Sequence, residues 1–493
     1  MTSVRFALLT TAALLPLACG EPGGDRGDDT STVGSATLPP PTTGPSDTGT
    51  GSGGDATIST SNASLDSGSA GMSSDTNPFV FDVGGTPDGG GGCGGGAQTN
   101  ATLSGTVWAP NGEIPISGAV VYTTAAPPAG IPQQVYCDEC QEVNCEDFVT
   151  FTNADGTFEL DTVAADARYL VVRKGQFMRV TQIDIAEGSA ALSAMLTTLP
   201  GTNNPGAGLY IPRIAVGYGA YDRIEDALGK FGLGQTSIAN QEENLVPGSE
   251  PFDIWDNGGS PGVDGFASVG TFSTLIANPN LLDDYHIIFV PCSDDAFLTS
   301  LDAAAIQNIR DWVAAGGRWY VADWSNEWFE HVFPDYQTLD GEPNAADGGS
   351  YDSNATVLDA DLLAWLQALP APLKDINPLN DEAHPTLNDL PGFVTAVDNW
   401  SVVESVNPVL VDDGMGGMVD VGHKVWLEGP GGGFGVHPLT VAGTYGCGRI
   451  QFTSYHAAEF FDYVGLSPQE LILLYTILEI GVCQDNPLPP PEG

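Results

Sequence analysis

Apolar side chains change their spacing along the chain, and each change marks a new kind of structure. Arg5 precedes an apolar run over residues 6–17 that ends in Pro16-Leu17-Ala18-Cys19-Gly20. A basic start, a short apolar core and small residues before a cut describe a secretory signal, residues 1–18, rather than a structural helix. Residues 19–98 are Gly, Ser, Thr, Asp and Pro with almost no large apolar side chain. Such a stretch cannot bury enough surface to offset chain entropy, so it reads as a disordered tether. From Thr102 to about Leu199 the pattern alternates with period two in short runs such as LSGTVWA, TFELDTV and RYLVVRKG, punctuated by Asn153-Ala154-Asp155-Gly156. That predicts an antiparallel β-sandwich over residues 99–200.

From Ile211 the period changes again, and residues 207–485 read as an α/β domain with a mostly parallel sheet. A strand over 213–216 leads through a loop at 217–220 to a helix over 222–231. Residues 286–290 form a β-branched run too short for a helix, and residues 302–315 carry Ile306, Ile309 and Val313 at helical spacing before Gly316-Gly317. Residues 318–322 are a second apolar run, which makes a βαβ unit of a parallel sheet. Further on the pattern predicts a helix over 358–369, strands at 424–428, 439–442 and 449–453, and a helix over 467–481. The Ser467-Pro468-Gln469-Glu470 sequence is a capping box with proline at the first helical position. Residues 486–493 read as a disordered tail.

Parallel sheets bind ligands beyond the carboxyl ends of their strands. Here those ends are Cys292-Ser293-Asp294-Asp295, Asp323-Trp324-Ser325-Asn326-Glu327 and Ser454-Tyr455-His456. Charge narrows the partners: 63 acids against 14 bases give a formal net charge of −49, which excludes a nucleic-acid surface built on Lys and Arg clusters. No internal apolar run reaches membrane-spanning length.

Three resemblances add to this reading. The cysteine at the signal cut resembles that of a bacterial lipobox, although Pro16 stands where such motifs carry leucine and the leucine is Leu15. The resemblance implies lipidation of Cys19 and an anchor in the outer membrane or at the cell surface; an ordinary signal peptide is the alternative. The order LSGTVWAPNGEIPISGAVVYTT, NADGTFELDTV, ARYLVVRKGQF resembles the carboxypeptidase regulatory-like, transthyretin-like domains, which are usually non-catalytic modules. The pieces YHIIFVPC, VAAGGRWYVADWS and GCGRIQFTSYH resemble the class I glutamine amidotransferase-like fold, a flavodoxin-like layout. Working amidotransferases place a nucleophilic cysteine at the elbow that here reads Asp323-Trp324-Ser325, and a glutamate two residues after the histidine. Here His456 is followed by Ala457-Ala458-Glu459, so the resemblance does not imply glutaminase activity.

The cysteines divide by position. Cys447 starts the last strand and Cys483 ends the returning helix, so both belong to the lower edge of the sheet and a disulfide between them is expected. Cys93, Cys137, Cys140 and Cys145 lie in or beside the sandwich; two disulfides are expected there in an exported protein, with a zinc site as the alternative. Cys292 is then the free thiol, on the same edge as His456. A thiol beside a histidine suits nucleophilic chemistry, with Asp294, Asp295 or Glu459 to orient the ring. The other reading is a buried cysteine and a packed histidine without chemistry.

Asp294, Asp295, Asp323 and Glu327 could together hold Ca²⁺, although none shows calcium-loop spacing and a solvated acidic rim reads as well. Trp324 and Trp328, with Tyr218 and Tyr455, suit an envelope glycan or peptide, or else plug the core. No P-loop, G-x-S-x-G, H-E-x-x-H or dinucleotide fingerprint occurs. The leading expectation is a lipid-anchored envelope binding or adhesion module that needs no cofactor. Its ligand site would lie at Tyr218, Asp294, Asp295, Asp323, Trp324, Glu327 and Tyr455. The alternative is a hydrolase or acyl-transfer enzyme using Cys292, His456 and Glu459.

Overall fold

The computed structural model describes residues 98–140, 148–240, 242–293, 298–339, 351–374, 377–378, 390–399, 401–430, 435–458, 463–480, 483 and 487–491. Among them the chain is β-rich, with several sheets and few helices. The signal, nearly all of the tether, Cys19, Cys93, Cys145, Asp294, Asp295 and Glu459 lie outside the described residues.

Two sheets make the first layer pair. One has Thr157–Thr162, Ala101–Thr106 and Gly188–Ala191; the other runs Phe148–Phe151, Val120–Thr124, Ala165–Lys174, Phe177–Ile185 and Leu209–Tyr210. Period-two burial is plain in Thr157–Thr162, where Phe158 and Leu160 point inward and Glu159 and Asp161 outward. The expected turn before it closes with Gly156 N–H donating to Asn153 O at 2.9 Å. Gly156 has φ of 75°, and a Cβ there would lie 2.9 Å from Val107 O, so both conformation and space require glycine.

The second body is a ten-stranded sheet. In order across it run Ser268–Thr271, Asp253–Asp256, Ile214–Tyr218, Ile287–Val290, Arg318–Ala322, Gly448–Thr453, Val436–Tyr445, Lys424–Pro430, Tyr351–Val357 and Gly392–Asn399. The first six are parallel, and from Gly448–Thr453 onward the pairing is antiparallel. The strands Ile287–Val290 and Arg318–Ala322 are buried at every residue, as a parallel sheet covered on both faces requires.

Helix ends follow local chemistry. Asp302 caps Ala303–Ala314 by accepting from the N–H of Ala304 and Ala305. The capping box at Pro468–Ile480 forms in both directions: Ser467 Oγ accepts from Glu470 N–H at 3.2 Å, and Glu470 Oε2 accepts from Ser467 N–H at 2.6 Å.

The two bodies share one core that includes Leu103, Phe158 and Phe177 from the sandwich with Phe231, Trp365 and Leu478 from the α/β part. Across the seam Lys174 is ion-paired with Glu479, and Trp365 Nε1–H donates to Pro115 O at 2.7 Å. Trp365→Phe keeps most of the ring but leaves a buried carbonyl unpaired. A loss of about 1–3 kcal/mol in urea unfolding is expected, and an unchanged midpoint would show that this hydrogen bond does not hold the seam.

The expected Cys447–Cys483 bridge does not form, nor do Cys137 and Cys140 pair with Cys93 and Cys145. Cys137 is bonded to Cys447 and Cys140 to Cys483, with Cα separations of 5.2 and 5.0 Å. The reason is packing: the segment carrying Cys137 runs against the lower edge of the ten-stranded sheet, so close that a Cβ on Gly316 would lie 1.9 Å from Tyr136 O. Val135 N–H also donates to Asp283 O at 2.8 Å, which lays this segment along the α/β part. Both lower-edge cysteines therefore meet thiols from the sandwich side before they meet one another.

Candidate functional site

Three neighbouring parallel strands deliver three chemical groups to one edge. Cys292 follows Ile287–Val290, Asp323 follows Arg318–Ala322, and His456 follows Gly448–Thr453, strands adjacent in the sheet. Parallel strands end on the same side, so topology alone makes these residues neighbours. One ligand-type atom from each, the Cys292 Sγ, an Asp323 carboxylate oxygen and a His456 ring nitrogen, lie within 4.8 Å of one another.

Asp323 sits where the chain turns sharply out of its strand, with φ of 47°, a left-handed conformation that aspartate adopts at a cost. Its Oδ1 accepts from Ser401 N–H at 3.0 Å and from Ser401 Oγ at 3.2 Å, while Oδ2 lies 3.1 Å from His456 Nε2. Nearby, Ser325 Oγ donates to Pro291 O at 2.7 Å, tying the turn to the neighbouring strand end. Asp222 fixes the other side of the histidine loop, its two oxygens accepting from Ala457 and Ala458 N–H at 3.1 and 2.9 Å. Burial, opposed by His456 and by those two N–H groups, pushes the Asp222 carboxyl up to about 6.

All three members are buried: Cys292 and Asp323 are 0% exposed and His456 3%. Burial alone would push His456 down, but the adjacent Cys292 sulfur and the Asp323 carboxylate outweigh it and hold the imidazole well above its ordinary value. The histidine is thus set between a thiol and a carboxylate, both of which favour its charged form. Close by, Ser293 Oγ donates to Asn257 O at 2.8 Å, and both side-chain amide atoms of Asn257, fully buried, lack a partner among the described residues.

A cavity of about 400 Å³ opens on the same edge, lined among others by Tyr218, Arg223, Glu225, Asp264 and Ala458. Ala458 lies two residues past His456, and its carbonyl accepts from Arg223 N–H at 3.1 Å, so the cavity wall continues the histidine loop.

Of the residues expected at a ligand site, Tyr218 reaches the cavity, where its hydroxyl donates to Asp264 Oδ2 at 2.6 Å. Tyr455 and Trp328 are core side chains: Tyr455 bonds Thr440 through its hydroxyl at 2.6 Å, and Trp328 packs edge-on against Phe272 at 5.2 Å. Glu327 is buried and Trp324 half-buried. Asp294 and Asp295 of the expected calcium grouping lie outside the described residues; of its other two members, Asp323 turns inward to Ser401 and His456 and Glu327 is buried. The cluster that could hold a metal ion has sulfur, imidazole and carboxylate donors, a set suited to zinc rather than calcium. Asp222, Glu225 and Asn257 were not singled out from the sequence. Their signal was weak, since acids at a helix start and an asparagine in a loop are ordinary.

No family model matches the chain, and no curated protein matches it. Among solved structures it is similar to two cytoplasmic proteins, one from Salmonella typhimurium and one from Salmonella typhimurium LT2. Each has 12% sequence identity and covers 55% of this chain and 98% of its own, with TM-scores of 0.27 and 0.26. Likeness at that level carries no argument about fold or activity.

Proposed function

We propose that the chain is an exported, lipid-anchored envelope protein whose α/β part is an amidotransferase-like, flavodoxin-like domain with a rearranged thiol site for hydrolysis or acyl transfer. The observation that carries it is the joining of Cys292, His456 and Asp323 at the ends of three adjacent parallel strands. In this reading aspartate occupies the elbow where amidotransferases keep cysteine, and the thiol comes from the next strand. Cys292 Sγ attacks the carbonyl carbon of an amide or ester as thiolate. His456 gives its proton to the departing amine or alcohol, leaving a thioester. Water, losing a proton to His456, then breaks the C–S bond and frees the acid. Asp323 orients the ring and offsets its charge. Two disulfides support export, because such bonds persist in oxidising compartments.

Iodoacetamide labelling of the mature chain between pH 6 and pH 9, read by peptide mapping, tests the thiol. An ordinary thiol titrates at about 8.5 and should lose nearly all reactivity by pH 6.5. Cys292 is expected to label at pH 6.5 within about threefold of its rate at pH 9, and His456→Ala to remove that advantage. Labelling only after unfolding in guanidinium would sink the reading. The full burial of all three groups favours a second one, a non-catalytic module that binds envelope glycan or peptide, and an inert Cys292 would bring it forward.

A further inference from the structure

Cys292, Asp323 and His456 also suit a second chemistry. Their donor atoms lie within 4.8 Å of one another, and each follows its own strand of the parallel sheet. Nitrogen and oxygen donors at about 2.0–2.1 Å from a tetrahedral zinc ion stand roughly 3.3 Å apart, and a sulfur at about 2.3 Å stands roughly 3.6 Å from them. His456 Nε2 and Asp323 Oδ2, at 3.1 Å, are already near that spacing. The sulfur has to close by about 1 Å at most.

The groups behind these donors hold them as outer hydrogen bonds hold metal ligands. Ser401 N–H and Oγ take Asp323 Oδ1 at 3.0 and 3.2 Å, so Oδ2 is the oxygen turned to His456. The histidine loop is fixed by Asp222, which accepts from Ala457 and Ala458 N–H, and by Gln469 Nε2, which donates to His456 O at 3.2 Å. Asp222 is committed to that task and stays outside the donor set. Charge then selects the ion. With its thiol ionised, Cys292 joins Asp323 in bringing two negative charges into a buried place, and a divalent cation beside a neutral imidazole cancels both. Sulfur and imidazole donors favour zinc over calcium or magnesium.

We propose that Cys292, Asp323 and His456 form a zinc site with its fourth position left to water, and that bound zinc takes the Cys292 sulfur out of reaction. As the Zn–S and Zn–N bonds form, the proton shared by thiol and imidazole leaves to solvent. The metal site rests on the donor geometry alone. Only its role as a block on the thiol rests on the hydrolase reading above.

The mature full chain, stripped with a chelator, is loaded with cobalt(II) or zinc, both in the native state and during refolding with its disulfides intact. Both routes are used because the donors are buried. Cobalt should bind once per chain, with a thiolate-to-metal charge-transfer band in the near ultraviolet and the visible bands of tetrahedral coordination. Cys292→Ser should abolish the charge-transfer band, and His456→Gln and Asp323→Asn should each weaken binding by about tenfold or more. Zinc should displace the cobalt and suppress iodoacetamide labelling of Cys292, with chelator restoring it. A charge-transfer band with a metal-free Cys292 that never labels would keep the zinc site and sink the thiol enzyme. A reactive Cys292 with no such band by either route would do the reverse. A band that survives Cys292→Ser, or affinity unchanged in folded His456→Gln and Asp323→Asn, would also overturn the site. Labelling that zinc leaves untouched would overturn the block.

Discussion

Asp323→Asn is expected to slow labelling of Cys292 at pH 6.5 by about 10²-fold or more while the protein still folds. Asparagine tolerates the left-handed backbone at this position, so the substitution changes charge without adding strain. Its Oδ1 can go on accepting from Ser401, but its Nδ2 then points N–H groups at His456 Nε2, which lies 3.1 Å from the present carboxylate. Two donors then face each other, which disfavours the charged imidazole and removes the support that the proposed thiolate would draw from it. A stability loss of about 1–3 kcal/mol should accompany this, the cost of one mispaired buried polar contact. Urea unfolding alongside labelling kinetics separates the effects. Unchanged labelling with lowered stability would make Asp323 a structural residue only.

Removing both bridges, by Cys137→Ala with Cys140→Ala or by reduction, should cost more stability than any substitution considered above. The bonded pairs are 310 and 343 residues apart in sequence. Loop-closure entropy for links of that span amounts to about 5 kcal/mol for the first bridge, with a smaller addition from the second because the first has already closed the large loop. Guanidinium unfolding with and without reductant, with reduction verified by mass spectrometry, measures it. A midpoint that stays put would mean that the shared core alone holds the two bodies together.

Local signals in this chain were read well because local physics decides them. The capping box at Ser467 and the fully buried strands around Ile288 and Tyr320 follow from spacing within a dozen residues. Cys292 and His456 could be placed on one edge for a related reason, since parallel strands share a direction. What could not be read was cover. Asp323 looked like part of a polar rim, yet it is buried, because the backbone at Ser401, 78 residues on, supplies its hydrogen bonds. Trp328 and Tyr455 looked available for a ligand and are packed in the core for the same kind of reason. The disulfides failed likewise: placing Cys447 and Cys483 at the lower edge identifies the neighbourhood, but the partners arrive from a loop more than 300 residues away. Periodicity tells which face of an element is apolar, not which distant segment lies on it.

The crossed pairing of the cysteines also decides what a protease can remove. The segment leading into the first body's last strand, Leu209–Tyr210, contains the exposed residues Thr202, Asn203 and Asn204, an inviting place to cut. Cys137 and Cys140 lie before that point and Cys447 and Cys483 after it. A molecule nicked there would be two chains by sequence and one by mass, its sandwich still fastened beneath the sheet. Separating the two pieces of such a molecule would take a cut followed by a reductant, and either alone would release nothing.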